Sequence, residues 1–574
     1  MLALAAILPF SPALTADFVE WDDDINVTQN PHIQGLDGER LLWMWGTAEH
    51  AMRYKPLNWL GWALLYRVQG LRPLGFHLAN LAFHAANTAL LFLVLRRMLL
   101  VAGAGNPKAP TVTGGTVAAG GGALLWAWHP LRVEPVAWVT GLPYGMAVFF
   151  LLLAWLAYLE ANRSETRNPR VCYWASVGAF ALALLSYPIV LVFGAVLVAL
   201  DVAVLRRLPR ESGGWLAPAV RRVWLEKIPF VVLAVALLAP TLVGRVRAGS
   251  GDLYEGPAGW AEFGFFPRAM QAFYVWAYYV WKPLLPTDLS VVYTTFYGFA
   301  PGGAPFVLSL IFVVGVTVVL VLLRGRWPGV LALWLTYLAV TIPVLGLMER
   351  PHSPSDRYAH LPNLAWAVAI AFGLARCWSR PSARGVSLAV GATLALLCGF
   401  LSFWQPALWN NSLTLFEATL ESLDGSVHAG DIAWRLGRLH ARAGNAERAA
   451  QSFLLFRKTG LRNPDGHGYA AAFWLLRDDG EAAGHHAGEV LRANPKDHVA
   501  LNVLATVAFR RRDFGRAREF FEASLTAEPG QPGVLEKLAE TLDQLGQAGE
   551  AARVRERARI LGTQTAAPIR SGSR

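Results

Sequence analysis

The run Trp21-Asp22-Asp23-Asp24 is the most chemically suggestive stretch of the chain. Three adjacent carboxylates repel one another, so at least one should hold its proton unusually tightly unless a cation neutralises it. That suits a general base, or a divalent cation held by Asp22, Asp23 and Asp24. The plain alternative is a solvated acidic loop. A second group is His77, Asn80, His84 and Asn87, spaced i, i+3, i+7 and i+10 and therefore one stripe on one helix face. In an apolar helix such a stripe faces the bundle interior, either to meet a substrate or to hydrogen-bond a neighbouring helix. A third group is His129, Arg132 and Glu134, and a fourth is Asp356, Arg357, Tyr358 and His360. An arginine at 357, oriented by Asp356, suits recognition of a phosphate at headgroup level, with Lys282 as a second cation. The sequence has no metal-ligand spacing, P-loop, dinucleotide fingerprint or nucleophile elbow, which counts against enzymes that use soluble nucleotides.

The elements that must position these groups are apolar helices. The chain has 574 residues, 54% hydrophobic and only 16% charged, with a mean hydropathy of +0.36. An ordinary soluble protein has about a quarter of its residues charged. Apolar runs near 2–16, 75–95, 112–128, 143–160, 171–186, 187–205, 227–244, 305–323, 328–347, 360–378 and 386–404 predict an all-α bundle of about eleven spans. Between them lie Arg96, Arg97, Arg163, Arg167, Arg170, Arg206, Arg207, Arg210, Arg221, Arg222, Arg324, Arg326, Arg376, Arg380 and Arg384, a positive-inside pattern. The net charge of +11 is therefore a signature of topology and not of a nucleic-acid partner.

No A-x-A-like cleavage site follows the first run, which predicts an uncleaved first helix. The aromatic stretch 268–286 would turn every later basic loop outward if it crossed, so it is expected to be interfacial or re-entrant. With a cytoplasmic N-terminus, the segments 17–72 and 349–358 and the whole tail then share the extracytoplasmic side. Cys172, Cys377 and Cys398 lie in or at the ends of apolar runs and are expected to pack, not to form disulfides or a zinc site.

The tail repeats with a period of about 34 residues, that of helix–turn–helix tetratricopeptide repeats. Trp434, Leu436, Gly437, Gly444, Ala449, Phe453 and Pro464 make one unit; Leu504, Ala505, Ala517, Phe521, Ala523 and Pro529 another; and Leu538, Leu545, Gly546, Ala548 and Ala552 a third. A degenerate unit, 469–495, lies between the first two. Three to four repeats suffice to stack a continuous core, and the expected role is a peptide-binding or oligomerising surface. The boundaries expected are a membrane domain at 1–408, a repeat domain at 409–562 and a disordered tail at 563–574.

These residues resemble the transmembrane O-mannosyltransferases with tetratricopeptide repeats and their bacterial relatives, within the GT-C glycosyltransferase superfamily. The family's double aspartate and asparagine–proline is similar to Asp22-Asp23 with Asn30-Pro31, its R-P-L to Lys55-Pro56-Leu57, and its H-x-x-N-x-x-x-H-x-x-N to the stripe from His77 to Asn87. His129-Pro130 through Val139, Glu226-Lys227-Ile228-Pro229-Phe230, Asp356-Arg357-Tyr358 with Leu361-Pro362, and Trp409 through Phe416 complete the series.

The resemblance implies a GT-C-like fold and an inverting hexosyltransferase that moves a sugar, mannose in the family, from a polyprenyl-phosphate donor to a Ser or Thr hydroxyl of a protein presented by the repeats. Asp22 or Asp23 would be the base and Arg357, then Lys282, the cation beside the leaving phosphate. His77, Asn80, His84, His129, Glu134, Asp356 and Tyr358 would shape the substrate sites. Two departures stand out. Where the family has G-R-x-D this chain has Gly141-Leu142-Pro143-Tyr144, and where it has serine–lysine this chain has Ser186-Tyr187. The competing reading is a membrane-anchored repeat scaffold without catalysis. A composition rich in Ala, Arg, Gly and Pro suggests a bacterial cytoplasmic membrane with a periplasmic tail, with the endoplasmic reticulum and a luminal tail as the alternative.

Overall fold

The computed structural model describes residues 1–48, 50, 53–104, 110–209, 212–248, 263–296, 299–347, 354–423 and 428–565. All regular structure among them is helical. The chain divides into two units, Met1–Leu415 and Phe416–Arg574.

Each of the eleven apolar runs is helical. Seven are long and apolar enough to cross a membrane: Pro73–Gly103 (α2), Val139–Ala161 (α4), Pro169–Ser186 (α5), Pro218–Gly244 (α7), Ala304–Leu322 (α8), Asp356–Trp378 (α10) and Pro381–Trp409 (α11). Shorter apolar helices fill the remaining runs: Leu2–Thr15 (α1), Pro188–Ala203 (α6) and Pro328–Val344 (α9), together with Val112–Ala127 (α3). The protein is thus an integral membrane protein. The helix starts are legible in the chain: proline occupies the first turn of α2, α5, α9 and α11, where its missing N–H costs nothing and its fixed φ favours entry. α1 passes into a 3-10 segment at its prolines, which is why it is short.

One expectation shifts. α2 continues to Gly103, so Arg96 and Arg97 ride on its last turns instead of in a loop, and Arg97 pairs with Glu160 at the end of α4 at 2.5 Å. The aromatic segment forms a helix, Phe265–Trp281, whose Met270, Tyr274, Val275, Tyr278 and Tyr279 join the main membrane core. Of the segment 349–358, residues 349–353 lie outside the described residues.

A buried ionic knot ties α4, α6 and α7 together. Asp201 is fully buried and accepts from Tyr158 Oη at 2.8 Å and Arg207 Nη1 at 3.3 Å, with Lys227 Nζ at 2.6 Å; Arg207 also pairs with Glu226. With every charge matched, the knot fixes register, because removing any one partner would strand another. Glu226 and Lys227 belong to one of the motifs read in the sequence.

The second unit contains four helical hairpins: His428–Arg442 (α12) with Ala446–Thr459 (α13), Pro464–Leu476 (α14) with Gly480–Ala493 (α15), His498–Arg510 (α16) with Phe514–Ala527 (α17), and Pro532–Gln544 (α18) with Ala548–Thr565 (α19). Small residues set the crossings. A Cβ on Gly437 would lie 2.8 Å from the Phe453 ring, and one on Gly466 would lie 2.7 Å from Trp434. The unit read as degenerate is a complete hairpin, and Gly466, near the start of α14, packs it closely on Trp434 and Phe456 of the hairpin before it. Asn463, Asp479, Asp497 and Asp513 cap four of the helices, each accepting from a backbone N–H three residues on. Residues 566–574 of the expected disordered tail lie outside the described residues.

Candidate active site

The acidic loop after α1 is pinned by motifs that are far away in the chain. Trp138 Nε1 donates to the Trp21 carbonyl at 2.8 Å, and Thr140 donates to Asp23 Oδ1 through both its N–H (2.9 Å) and its hydroxyl (2.6 Å). Ser412 Oγ accepts from the Glu20 N–H at 2.8 Å, and the Asn410 carbonyl accepts from the Asp17 N–H at 2.8 Å. Three of the sequence motifs therefore meet at this loop.

The two candidate bases are not equivalent. Asp23 is buried, and its second oxygen accepts from the Val19 N–H at 3.0 Å, so its carboxylate is committed to holding the loop. Burial pushes its pKa from 3.8 up to about 7, against the lowering effect of Thr140 and Val19. Asp22 is exposed and sits at φ +69°, a left-handed conformation that few residues other than glycine adopt. Such strain concentrates at functional sites, where surrounding structure holds it in place. Asn26 stabilises the turn by donating to the Asp22 carbonyl through both its N–H and its side-chain amide, each at 2.9 Å. Asp24 is half-buried, so the three side chains meet very different surroundings. Among the described residues no three His, Cys, Asp or Glu side chains form a metal-binding group.

Two cations to which the sequence reading gave no role lie near this loop: Lys55, on which the charge of Asp22 acts, and the neighbouring Arg53. Lys55 is buried against Trp59 and Trp62, 4.3 and 5.0 Å from their ring centroids, and its Nζ donates to Asn26 Oδ1 at 3.3 Å. Burial and then the neighbouring Arg53 pull its pKa down to about 7, while Asp22 raises it. Arg53 lies 5.7 Å over the Tyr187 ring and donates to Tyr358 Oη at 3.4 Å. Lys55-Pro56-Leu57 carried the only sequence signal for this corner. A cavity of about 410 Å³ begins here, with Arg53, Tyr187 and Tyr358 at its polar end and walls that include Leu238, Leu242 and Ile342.

The two departures from the family pattern turn out to be neighbours. Tyr144 and Tyr187 share a hydrogen bond at 3.2 Å and their rings lie 4.8 Å apart. Gly141, which the pattern keeps, is needed for close approach: a Cβ there would lie 2.3 Å from the Pro135 carbonyl oxygen.

Arg357 is held by Glu134 and not, as expected, by Asp356. Glu134 accepts from Arg357 Nη1 at 2.5 Å and from its N–H at 2.7 Å, and the guanidinium lies over Trp138 and Tyr358. Asp356 instead accepts from Tyr293 Oη at 2.8 Å and Tyr278 Oη at 3.4 Å. Lys282 is buried and donates to the Thr287 carbonyl at 2.7 Å, tying the loop that follows its helix. His129 uses both ring nitrogens locally, at the Pro283 carbonyl (2.8 Å) and the Leu131 N–H (3.2 Å). Along the α2 stripe, Asn80 donates to the Trp138 carbonyl at 2.6 Å and Asn87 to the Gly145 carbonyl at 2.9 Å, which joins α2 to the chain around the start of α4. His84 packs between Phe10 and Trp126, and His77 lies beside the backbone of Ala16, Asp17 and Ala137. Asn80 and Asn87 thus tie α2 to the same stretch of chain whose Thr140 holds Asp23.

Fold and site together define a helical membrane protein with a charged, aromatic corner near an acidic loop and, later in the chain, an array of helical hairpins. No protein-family model matches the chain. It is similar to protein O-mannosyl-transferases: 29% identical over 179 residues to human TMTC4, covering 28% of this chain and 23% of that protein. It is 34% identical over 164 residues to Tmtc1 of Drosophila melanogaster, covering 27% and 17%, and 35% over 128 residues to Tmtc2 of the same species, covering 22% and 12%. The matches thus span less than a quarter of these relatives' lengths. Among solved structures MamA is aligned over 27% of this chain and 87% of its own at 18% identity, with a TM-score of 0.25, too low to bear on the fold.

Proposed function

We propose that this protein is an inverting membrane glycosyltransferase that moves a sugar from a polyprenyl-phosphate donor to a hydroxyl of a protein acceptor, with mannose the sugar suggested by the names of its relatives. The observation that carries the reading is Asp22, an exposed carboxylate on a strained turn whose charge acts on the buried Lys55, with the neighbouring Arg53 lining an apolar-walled cavity. In this mechanism the acceptor oxygen attacks the anomeric carbon, its proton passes to the Asp22 carboxylate, and the sugar–phosphate bond breaks with its electron pair on the lipid phosphate. Positive charge at Arg53, with Arg357 behind it, favours that developing charge. Asp23 is a positioning residue. The donor's hydrocarbon would lie along Leu238, Leu242 and Ile342, and the repeats would present the acceptor on the same, extracytoplasmic side of a bacterial membrane.

The test uses membranes supplied with labelled polyprenyl-phosphate sugar and carrying Asp22→Asn or Asp23→Asn. Asp22→Asn is expected to accumulate normally and lose transfer by about 100-fold or more, the usual worth of a general base. Asp23→Asn is expected to lower the amount of folded protein. Full transfer in both single variants and in the double variant would refute the assignment of the base. A binding partner retained by the tail, with surface glycans unchanged when both aspartates are removed, would favour the scaffold.

A further inference from the structure

Arg132 is fully buried, yet the protein supplies it with little. Its Nη2 donates to the Ala359 carbonyl at 3.2 Å and its guanidinium lies 5.4 Å over Trp126, but Nε and Nη1 have no hydrogen-bond partner. The nearby carboxylates are engaged elsewhere: both oxygens of Glu134 accept from Arg357, and Asp356 accepts from Tyr278 and Tyr293. His129 adds no charge, since burial holds its pKa down at about 4. A guanidinium removed from water with two donor groups unpartnered, and with its one nearby counter-charge, Asp356, hydrogen-bonded elsewhere, is unfavourable, so the site calls for an anion.

That anion has a defined shape. Arg132 lines a cavity of about 460 Å³ formed by α3, α10, α11 and the loop at 283–286, and the cavity shares no residue with the groove at Arg53. Asn363 lies beside the same cavity with its side-chain oxygen buried and unpartnered. The rest of the lining is mainly aliphatic and aromatic, and Leu394, Leu397 and Leu401 are 47%, 53% and 39% exposed on a helix long and apolar enough to cross the membrane, so the cavity opens toward lipid. A small soluble anion would satisfy Arg132 but leave these walls uncovered.

We propose that this groove is a binding site for an anionic phospholipid whose head carries a free hydroxyl, independent of the donor site. The phosphodiester would accept from Arg132, a head hydroxyl would donate to Asn363, and an acyl chain would lie along Ile370, Leu394, Leu397 and Leu401. A single cation with Asp356 close by matches the single negative charge of a phosphodiester better than a phosphate monoester.

The test is native mass spectrometry of the full-length protein taken from nanodiscs of equal phosphatidylglycerol and phosphatidylcholine. The wild type is expected to retain phosphatidylglycerol over phosphatidylcholine, and Arg132→Met to retain about tenfold less of it, the loss expected for a hydrogen bond to a charged group. Leu397→Trp fills the bilayer-facing wall without touching the guanidinium and should cut retention similarly, so it decides the matter alone if Arg132→Met does not fold. Equal retention of the two lipids by the wild type, or unchanged phosphatidylglycerol in the variants, would overturn the proposal. So would displacement of phosphatidylglycerol by equimolar polyprenyl phosphate, which would make this groove the donor's.

Discussion

Asp22 and Asp23 are the same residue type in adjacent positions, and only three-dimensional surroundings separate their chemistry. The sequence could place a base in this run because three carboxylates in a row are an unusual concentration of charge beside an apolar helix. It could not choose between them, because the choice depends on Thr140, more than a hundred residues away, and on an inverted backbone at Asp22. The same limit explains Arg357: Asp356 is its chain neighbour, but Glu134 reaches it from another helix. A measurable consequence attaches to Asp23. Its pKa is about 7 in the folded protein and 3.8 ordinarily, so the unfolded chain ionises first as pH rises. The stability this group gives is full below pH 3.8 and fades through pH 7. Unfolding temperature should therefore fall between pH 5 and pH 8 by more in the wild type than in Asp23→Asn. An identical fall in the two proteins would show that Asp23 does not titrate in this way.

Helices were the most legible part of the chain, because a bilayer demands long apolar runs and proline and basic residues mark their ends. Each of the eleven runs is a helix, whereas their lengths were harder to read: α2 keeps going through Arg96 and Arg97, since long basic side chains can extend from the end of a helix while Arg97 finds Glu160. In the second unit, the period of the repeat was readable where large and small residues sat at their usual places, and it faded at 469–495, where the hairpin is nevertheless complete. Helix crossings in such hairpins are sensitive to volume. Gly437→Val would push a side chain into Phe453 and should destabilise the array by about 1–3 kcal/mol, the usual cost of overpacking. Limited proteolysis of the full chain should then cut within α12 and α13 at lower protease than in the wild type. Wild-type resistance would mean that the hairpin can open to admit the extra methyl groups.

At the scale of the molecule, charge is the organising quantity. A net charge of +11 on a chain this apolar lies largely in stretches between apolar helices; the proposed topology puts those stretches on the cytoplasmic side, and the proposed site owes its character to the few charges outside them. That arrangement has a direct check. In a background with the three native cysteines replaced, cysteine at Glu39 or Glu447 should react with a membrane-impermeant maleimide from the extracytoplasmic face, and cysteine at Glu165 only after the membrane is breached. Reversed labelling would put the acidic loop and the repeats on the wrong side for this chemistry. The similarity to O-mannosyl-transferases covers only part of either partner, and the Tyr144–Tyr187 pair stands where the family pattern carries charge, so activity itself is the central claim. The most direct measurement is transfer by the purified wild-type protein from a polyprenyl-phosphate mannose of defined anomeric configuration, followed by analysis of the product. The proposed mechanism predicts label on a Ser or Thr oxygen with the anomeric configuration inverted. Donor that binds without any label reaching protein, or a product of retained configuration, would contradict it.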